Sequence, residues 1–342
     1  MGETWAMPHR SARALVVPVL LFALLLAACG GGDGDAGSAG PTTSDPVGSG
    51  RDDAFVAQVA SYELVAGQDQ RFLAALAGNG TGTVVSFGSV DLEFFYLGTR
   101  EKQVDPPESR ATAKATFFPV AGQEIAADAE GPREARPSEG LGVYAADGVR
   151  FDEPGFWGVR VKAKIDGKDV SANAPFEVRA EPQVPFPGQP APRTMHPLPG
   201  AEGVEPKSID SRAQKDAPIP DEVLHRTTIA DALAAGKPTV VVVSTPVYCV
   251  SQFCGPITDS VAELATAYED RVAFVHLEVW KDFEKRIVNP FAAEWISPRN
   301  GVGDTQEPWV FLVGGDGIVK QRFDNVVGDE ALASAVKALA GG

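Results

Sequence analysis

The stretch that decides the fold is KPTVVVVSTPVYCVSQFCGPITDSVAELATAY, residues 237–268. Its unbroken apolar run up to Val243 is typical of a strand that is buried on both faces. From Ile257 onward, apolar residues recur at the spacing of a helix. Two of the three cysteines in the chain, Cys249 and Cys254, lie between these segments. The sequence therefore predicts a cysteine-bearing turn that connects a buried strand to a helix.

The segments around this turn alternate between helix and strand. Their order predicts an α/β fold with a mixed sheet over residues 223–342. The first helix has two candidate N-terminal caps, Thr227 and Thr228. The segments are, in chain order, the helix TTIADALAAGKP, the strand TVVVVS, the helix after the turn, the strand RVAFVHLEVW, the helix NPFAAEWI, the hairpin PWVFLVGGDGIVKQRF and the helix GDEALASAVKAL.

This order of elements resembles the thioredoxin fold over residues 221–342. The resemblance rests on KPTVVVVSTPVYC, NPFAAEWI and EPWVFLVGGDGIVKQRF. In the thioredoxin family a cis-proline starts the strand that faces the cysteines, and Pro308 is the matching position. The resemblance thus implies thiol–disulfide exchange at Cys249 and Cys254, with a cis peptide bond between Glu307 and Pro308.

The cysteine site departs from the family pattern W-C-G-P-C. Counting from the strand places Tyr248 and Cys249 at the family's Trp-Cys, whereas counting from the helix places Cys254 and the following Gly-Pro at its Cys-Gly-Pro. The family's buried acid falls at Val243 and is therefore missing. The attacking thiol stays open, because the helix dipole favours Cys254 and strand counting favours Cys249.

The two cysteines are expected to form a disulfide in the resting protein. In a continuous helix, residues 249 and 254 would lie about 7.5 Å apart along the axis. This separation exceeds the usual Cα–Cα reach of a disulfide, about 4.4–6.8 Å. We therefore predict a loop between the cysteines and a helix that begins near Gly255, with Pro256 in its first turn.

The N-terminus carries the pattern of a secretory signal. MGETWAMPHRSAR is basic, residues 14–28 are apolar, and glycines follow Cys29. The sequence LAAC, residues 26–29, resembles a bacterial lipobox. That resemblance implies a lipid on Cys29 and a location on the extracytoplasmic side of the cell membrane. The alternative is an ordinary signal peptide or an anchor helix that happens to contain Cys29.

The composition divides the chain further. Residues 1–29 are the predicted signal peptide and residues 30–52 a flexible Gly/Ser/Pro/Asp-rich tether. Residues 53–180 predict an all-β sandwich, because FWGVRVKAKI alternates strictly and several strand candidates precede it. The stretch EPGFWGVRVKAKIDG resembles late strands of immunoglobulin-like domains, so this block is expected to be a spacer or docking module. Residues 181–222 predict a stiffer, proline-rich linker, and residues 223–342 the thioredoxin-like domain.

Charge and histidine content exclude some functions. The net charge is −16 without a Lys/Arg cluster, which argues against a nucleic-acid partner. The copper-binding relatives within this fold use two cysteines and a histidine on a nearby loop, but SPRNGVGDTQEP contains no histidine. No metal or cofactor is therefore predicted, and His276 is expected to be a core residue with a hydrogen-bond partner. The other histidines lie in the signal, in the linker and just before the fold: His9, His196 and His225.

Two functions follow for the whole chain. The first is a membrane-anchored, extracytoplasmic thioredoxin-like protein that exchanges disulfides with protein thiols through Cys249 and Cys254, with Pro308 beside them. The second is a non-enzymatic, lipid-anchored binding module whose disulfide is structural. A redox protein must cycle between oxidised and reduced forms, whereas a binding module should function with both cysteines changed to serine. The direction of electron flow and the role of the β-rich block stay open.

Overall fold

The computed structural model describes residues 54–120, 131–214, 217–249, 253–296 and 306–341. The predictions for the signal peptide, Cys29 and the tether lie outside these residues, as does most of the SPRNGVGDTQEP loop. Within the described ranges no helix is long and apolar enough to cross a membrane. The strands are β1 Phe55–Val59, β2 Asp69–Gly78, β3 Val84–Ser86, β4 Ser89–Gly98, β5 Ser109–Pro119, β6 Arg133–Ala135, β7 Gly142–Arg150, β8 Gly155–Ile165, β9 Lys168–Val178, β10 Thr239–Ser244, β11 Ala273–Glu278, β12 Trp280–Asp282, β13 Ile287–Val288, β14 Trp309–Val313 and β15 Val319–Asp324. The helices are α1 Pro137–Gly140, α2 Ile229–Ala234, α3 Cys254–Tyr268, α4 Pro290–Ile296 and α5 Asp329–Gly341, with short 3₁₀ helices at Pro206–Ser208 and Glu222–His225.

The N-terminal block is mostly β, with one four-residue helix, α1. Its nine strands form one antiparallel sheet in the order β6-β3-β2-β7-β5-β4-β8-β9, and β1 pairs with β2. In β8, Trp157, Val159 and Val161 are buried, because alternate side chains of a strand point to one face of the sheet. Hydrogen bonds connect all nine strands, so the division into two facing sheets that an immunoglobulin-like sandwich has is not confirmed.

Aromatic rings fill the core of this block. The Phe72 and Phe94 ring centroids lie 4.9 Å apart, and those of Phe151 and Trp157 lie 5.0 Å apart, both edge to face. This geometry is favoured by the quadrupoles of the rings. The buried aromatic rings thus pack residues of β2, β4 and β8 against one another.

The C-terminal block contains the predicted mixed sheet, in the order β11-β10-β14-β15. Strand β10 is parallel to β11 and antiparallel to β14. Its residues alternate between two cores: Val240 and Val242 pack with residues of α3 and α5, and Val241 and Val243 pack with residues of α2 and α4. Thr228 caps α2, since its Oγ1 accepts a hydrogen bond from the Asp231 N–H at 3.0 Å. The α/β prediction is confirmed for this block.

The proline-rich segment 181–222 packs against the C-terminal block along much of its length. Pro190 forms a bridge with Ile318, and the Thr194 Oγ1 accepts a hydrogen bond from the Trp295 indole N–H at 2.9 Å. Asp210 is completely buried. Prolines favour extended backbone in general. They do not prevent packing, because the polar residues between them find partners in the second block.

The two blocks also contact each other directly, and the described residues all fall within one compact unit. The Tyr62 N–H donates to Asp324 Oδ2 at 2.6 Å, and Asn325 Nδ2 donates to the Ala60 carbonyl at 3.0 Å. Arg322 Nη1 lies 2.7 Å from Glu63 Oε2, and the two side chains are 9% and 5% exposed, so the pair is shielded from water. Whether the blocks fold independently stays a prediction.

Removing the carboxylate of this buried pair should destabilise the protein. We expect Glu63→Gln to lower the free energy of unfolding by about 3 kcal/mol, because the Arg322 charge is left uncompensated in a buried place. The control is Asp69→Asn in the exposed Arg150–Asp69 pair, which should change stability by less than about 0.5 kcal/mol. Denaturant unfolding measures the free energy of unfolding of both variants. Equal changes in the two variants would contradict the proposed contribution of the Arg322–Glu63 contact to stability.

Candidate functional site

The cysteine turn lies between the end of β10 and the start of α3. Cys249 and Cys254 form a disulfide with a Cα–Cα distance of 5.9 Å, within the ordinary range. The predicted disulfide is thus present, and α3 begins at Cys254, one residue before the predicted start. Cys254 is completely buried beneath the turn, whereas Cys249 is partly exposed. The disulfide therefore presents one sulfur to the solvent side and one to the core.

The first peptide N–H of α3 points at the outer sulfur. Cys254 N donates to Cys249 Sγ at 3.3 Å. The first N–H groups of a helix lack partners within the helix and carry a partial positive charge. Their position next to Cys249 would stabilise negative charge on that sulfur once the disulfide is reduced.

Side chains from the proline-rich segment brace the turn. Ser211 Oγ accepts a hydrogen bond from the Val247 N–H at 3.2 Å, and Gln214 Nε2 donates to Tyr248 Oη at 3.2 Å. On the other side, the Tyr248 ring stacks on Phe283 with a centroid distance of 4.1 Å. Sequence analysis did not find this brace, because nothing in a proline-rich stretch indicates which strand or turn it covers.

Pro308 lies where the family resemblance predicted it. The Glu307–Pro308 peptide bond is cis, which confirms the prediction. Strand β14 begins at the next residue, and Trp309 pairs with Val243. Because the strands are antiparallel, Pro308 lies beside the end of β10, where the cysteine turn begins.

A buried acid is present near the turn, although not in β10. Val243 is apolar and completely buried, as the sequence indicated. Glu278 is the last residue of β11, pairs with Ser244 of β10 and is 1% exposed. Its carboxylate accepts hydrogen bonds from the Ser211 and Trp280 N–H groups at 2.8 and 3.2 Å. The sequence did not indicate Glu278, because the family's acid lies in the strand that corresponds to β10, whereas Glu278 lies in β11.

Both Glu278 and Glu307 hold their protons more strongly than ordinary glutamates. Burial raises the pKa of Glu278. Burial, and then the charge of Glu278, raises the pKa of Glu307 to about 7. The cysteine turn and the cis-proline are thus accompanied by a carboxyl group that can exchange a proton near neutral pH.

Histidines from distant parts of the sequence meet on the α3 face of the sheet. Asp210 Oδ2 lies 3.5 Å from His225 Nε2 and 3.4 Å from His276 Nδ1. His276 Nε2 lies 3.3 Å from the Ser244 carbonyl, so its predicted role as a core residue with a hydrogen-bond partner fits one of its nitrogens. Arg212 also contacts this carboxylate, since its Nε donates to Asp210 Oδ1 at 3.0 Å and its Nη2 donates to Asp210 Oδ2 at 2.8 Å. Sequence analysis did not single out Asp210.

Comparisons with known proteins add little to this geometry. No family model matches the chain, and no curated protein matches its sequence. Among solved structures, the chain is similar to a protein described as a thiol:disulfide interchange protein of the thioredoxin family from Chlorobium tepidum TLS, at 15% sequence identity. The similarity covers 33% of this chain and 85% of that chain, with a TM-score of 0.26. A match of this quality carries no argument about the chain, whose C-terminal block is defined by its own strand order, cysteine turn and Pro308.

Glu307 should make stability depend on pH. Its pKa rises from 4.5 to about 7 on folding, so the folded state binds the proton more tightly, and stability is lost as pH rises from about 4.5 to 7. We expect Glu307→Gln to remove this loss. The free energy of unfolding of the variant, relative to that of the unmodified protein, should therefore increase by about 2 kcal/mol from pH 5 to pH 8. Denaturant unfolding at several pH values measures the difference. The exposed Glu284→Gln is the control, and a Glu307→Gln difference that does not vary with pH would contradict the assignment.

Proposed function

We propose that this protein exchanges disulfides with thiols of other proteins through Cys249 and Cys254, on the extracytoplasmic side of the membrane. The observation that carries the proposal is the position of the disulfide at the N-terminus of α3, with the Cys254 N–H donated to Cys249 Sγ. Pro308 beside the end of β10 and the neighbouring acids support it. The β-rich block, immunoglobulin-like in its sequence, would serve as a spacer or docking module.

The geometry favours Cys249 as the sulfur that exchanges with the partner. Cys249 is partly exposed, whereas Cys254 is completely buried, so an incoming thiolate reaches Cys249 first. Cys254 is then the leaving thiolate, and its place in the first turn of α3 stabilises that charge. Strand counting in the sequence favoured the same role for Cys249.

Disulfide exchange with a partner dithiol proceeds in two steps. A partner thiolate attacks Cys249 Sγ, the bond to Cys254 breaks, and Cys254 leaves as a thiolate while the partner is joined to Cys249 by a mixed disulfide. A second thiolate of the partner then attacks the partner's own sulfur and releases Cys249 as a thiolate. The partner loses two electrons and forms a disulfide, and this chain gains two electrons. Each of its thiolates takes up a proton, and the reverse sequence oxidises the chain.

Single cysteine variants test these roles. Cys254→Ser leaves the accessible sulfur, so we expect it to form mixed disulfides with a small aromatic disulfide at least about tenfold faster than Cys249→Ser, whose remaining thiol is buried. The two variants are matched, since each keeps one thiol of the pair and the same net charge. Circular dichroism checks that both are folded, and equal rates or faster reaction of Cys249→Ser would contradict the assignment.

A second candidate function is the non-enzymatic binding module with a structural disulfide. The complete burial of Cys254 favours it, because a staple needs no access to its sulfurs. The double variant Cys249→Ser/Cys254→Ser separates the two functions. A redox protein loses all turnover in this variant, whereas a binding module keeps its partner at unchanged affinity as long as the variant is folded.

The proposed membrane attachment rests on the sequence alone. The LAAC motif and the Gly-rich stretch after it support a lipid on Cys29. We expect Cys29→Ala to leave an unprocessed or mislocalised precursor, whereas the unmodified protein should fractionate with membranes. Mass spectrometry of the mature N-terminus measures processing, and a mature chain that begins at a residue other than Cys29 would contradict the proposal.

A further inference from the structure

Three buried side chains converge on one point between β11, α3 and the 3₁₀ helix Glu222–His225. They are Asp210, His225 and His276, and each offers one donor atom, all within 4.8 Å of one another. The three residues are at most 4% exposed. None of them belongs to the cysteine pair or to the two glutamates described above. Three separate segments of the chain thus place a carboxylate and two imidazoles in one water-poor space.

The two ring nitrogens that face Asp210 lack hydrogen-bond partners. Among the described residues, His225 Nε2 and His276 Nδ1 are buried polar atoms without one. Their distances to Asp210 Oδ2, 3.5 and 3.4 Å, are longer than an ordinary N–H···O hydrogen bond. Buried polar atoms are nearly always satisfied, so two orphaned nitrogens on one carboxylate oxygen call for a ligand.

The other nitrogen of His276 sets its protonation. His276 Nε2 lies 3.3 Å from the Ser244 carbonyl oxygen, which can only accept a hydrogen bond. Nε2 therefore carries the proton in the neutral ring, and Nδ1 presents a lone pair to the Asp210 carboxylate. A lone pair facing a carboxylate oxygen is repulsive unless a cation lies between them. A metal-binding histidine usually donates the N–H of its other ring nitrogen to a carboxylate, a backbone carbonyl or water. The contact of His276 Nε2 with the Ser244 carbonyl fits this pattern.

Arg212 is the charged side chain of the described structure that contacts Asp210 directly, and it also contacts two other carboxylates. Arg212 Nη2 lies 2.8 Å from Asp210 Oδ2 and 2.7 Å from Asp221 Oδ2, and Arg212 Nη1 lies 3.2 Å from Asp259 Oδ1. One guanidinium is thus shared by three carboxylates. The side chains of Asp221 and Asp259 are 31% and 66% exposed, so Arg212 is shared between the buried Asp210 and two carboxylates nearer to solvent.

We propose that Asp210, His225 and His276 bind a divalent transition-metal ion of the zinc class. Ligands at about 2.0–2.1 Å from a tetrahedral ion lie about 3.4 Å from one another, which matches the two distances from Asp210 Oδ2. Nitrogen and oxygen donors without a thiolate suit Zn²⁺ better than Cu⁺. The three side chains supply three donor atoms, so the fourth position of a tetrahedral ion would be filled by water or another ligand.

The ion would stabilise the cysteine turn as well as the cluster. Asp210 precedes Ser211, whose Oγ accepts the Val247 N–H and whose own N–H donates to Glu278. His276 contacts the last residue of β10 through the Ser244 carbonyl. An ion that fixes Asp210 and His276 therefore fixes both sides of the segment that leads into Cys249.

Zinc binding by the oxidised full-length protein tests the proposal. In this form the disulfide withholds Cys249 and Cys254 from the metal. We expect one equivalent of Zn²⁺ to bind with a dissociation constant below about 1 µM, and zinc to raise the melting temperature because it binds only the folded chain. His225→Gln and His276→Gln should each weaken binding more than about 100-fold and abolish the shift in melting temperature. The half-buried Asp282→Asn should change neither.

A spectroscopic measurement on the unmodified protein covers the case in which a histidine variant fails to fold. Co²⁺ in the same site should give the visible absorption of a tetrahedral ion and no thiolate charge-transfer band, and Zn²⁺ should displace it. Absence of binding at 100 µM Zn²⁺, or equal binding by the unmodified protein and folded His225→Gln and His276→Gln, would overturn the proposal. A thiolate band would also overturn it, because the metal would then be bound by cysteine.

Discussion

The burial of β10 on both faces is the constraint on which the C-terminal block depends. Every residue from Thr239 to Ser244 is buried, and β10 pairs with β11 on one side and β14 on the other. A strand in this position cannot shift its register without moving valines from one core into the other. The chain therefore leaves the sheet at a fixed point after Ser244. The cysteine turn and the start of α3 follow this point, and Pro308 lies beside it.

The proline-rich segment contacts the residues that β10 and its neighbouring strands position around the cysteine turn. Through Asp210 it faces the histidines, through Ser211 it holds Glu278 and the Val247 N–H, and through Gln214 it reaches Tyr248. A cysteine turn that is contacted in this way from outside the C-terminal block depends on the proline-rich segment as much as on its own helix. The two candidate sites, the disulfide and the histidine cluster, are for this reason physically connected.

The sequence predicted most of the fold because the patterns involved are local. The valine run of β10, the alternation in β8 and the cap at Thr228 are each contained within a few residues. The site was predicted only in part. Cys249, Cys254 and Pro308 follow from position along the chain, whereas Glu278 and Asp210 act through partners that are distant in sequence. The histidine cluster joins residues that are up to 66 positions apart, from Asp210 to His276, and no periodicity marks such a pairing.

A redox role and a structural role make different demands on the contacts around the cysteines. A staple requires only that the disulfide hold the turn, and α3 would fray when it is reduced. An exchange site must keep its arrangement in both states, and the contacts of Ser211, Gln214 and Phe283 with the turn can hold it without the covalent bond.

The most direct test is the equilibrium between the oxidised and reduced forms of the folded protein in a series of thiol redox buffers. If Cys249 and Cys254 exchange with other proteins, we expect a reversible two-electron transition with a reduction potential above about −300 mV, in the range of exchanging disulfides. Circular dichroism should show that the reduced form keeps its helices. A disulfide that resists reduction until the protein unfolds, or a potential well below −300 mV, would contradict exchange at Cys249 and Cys254.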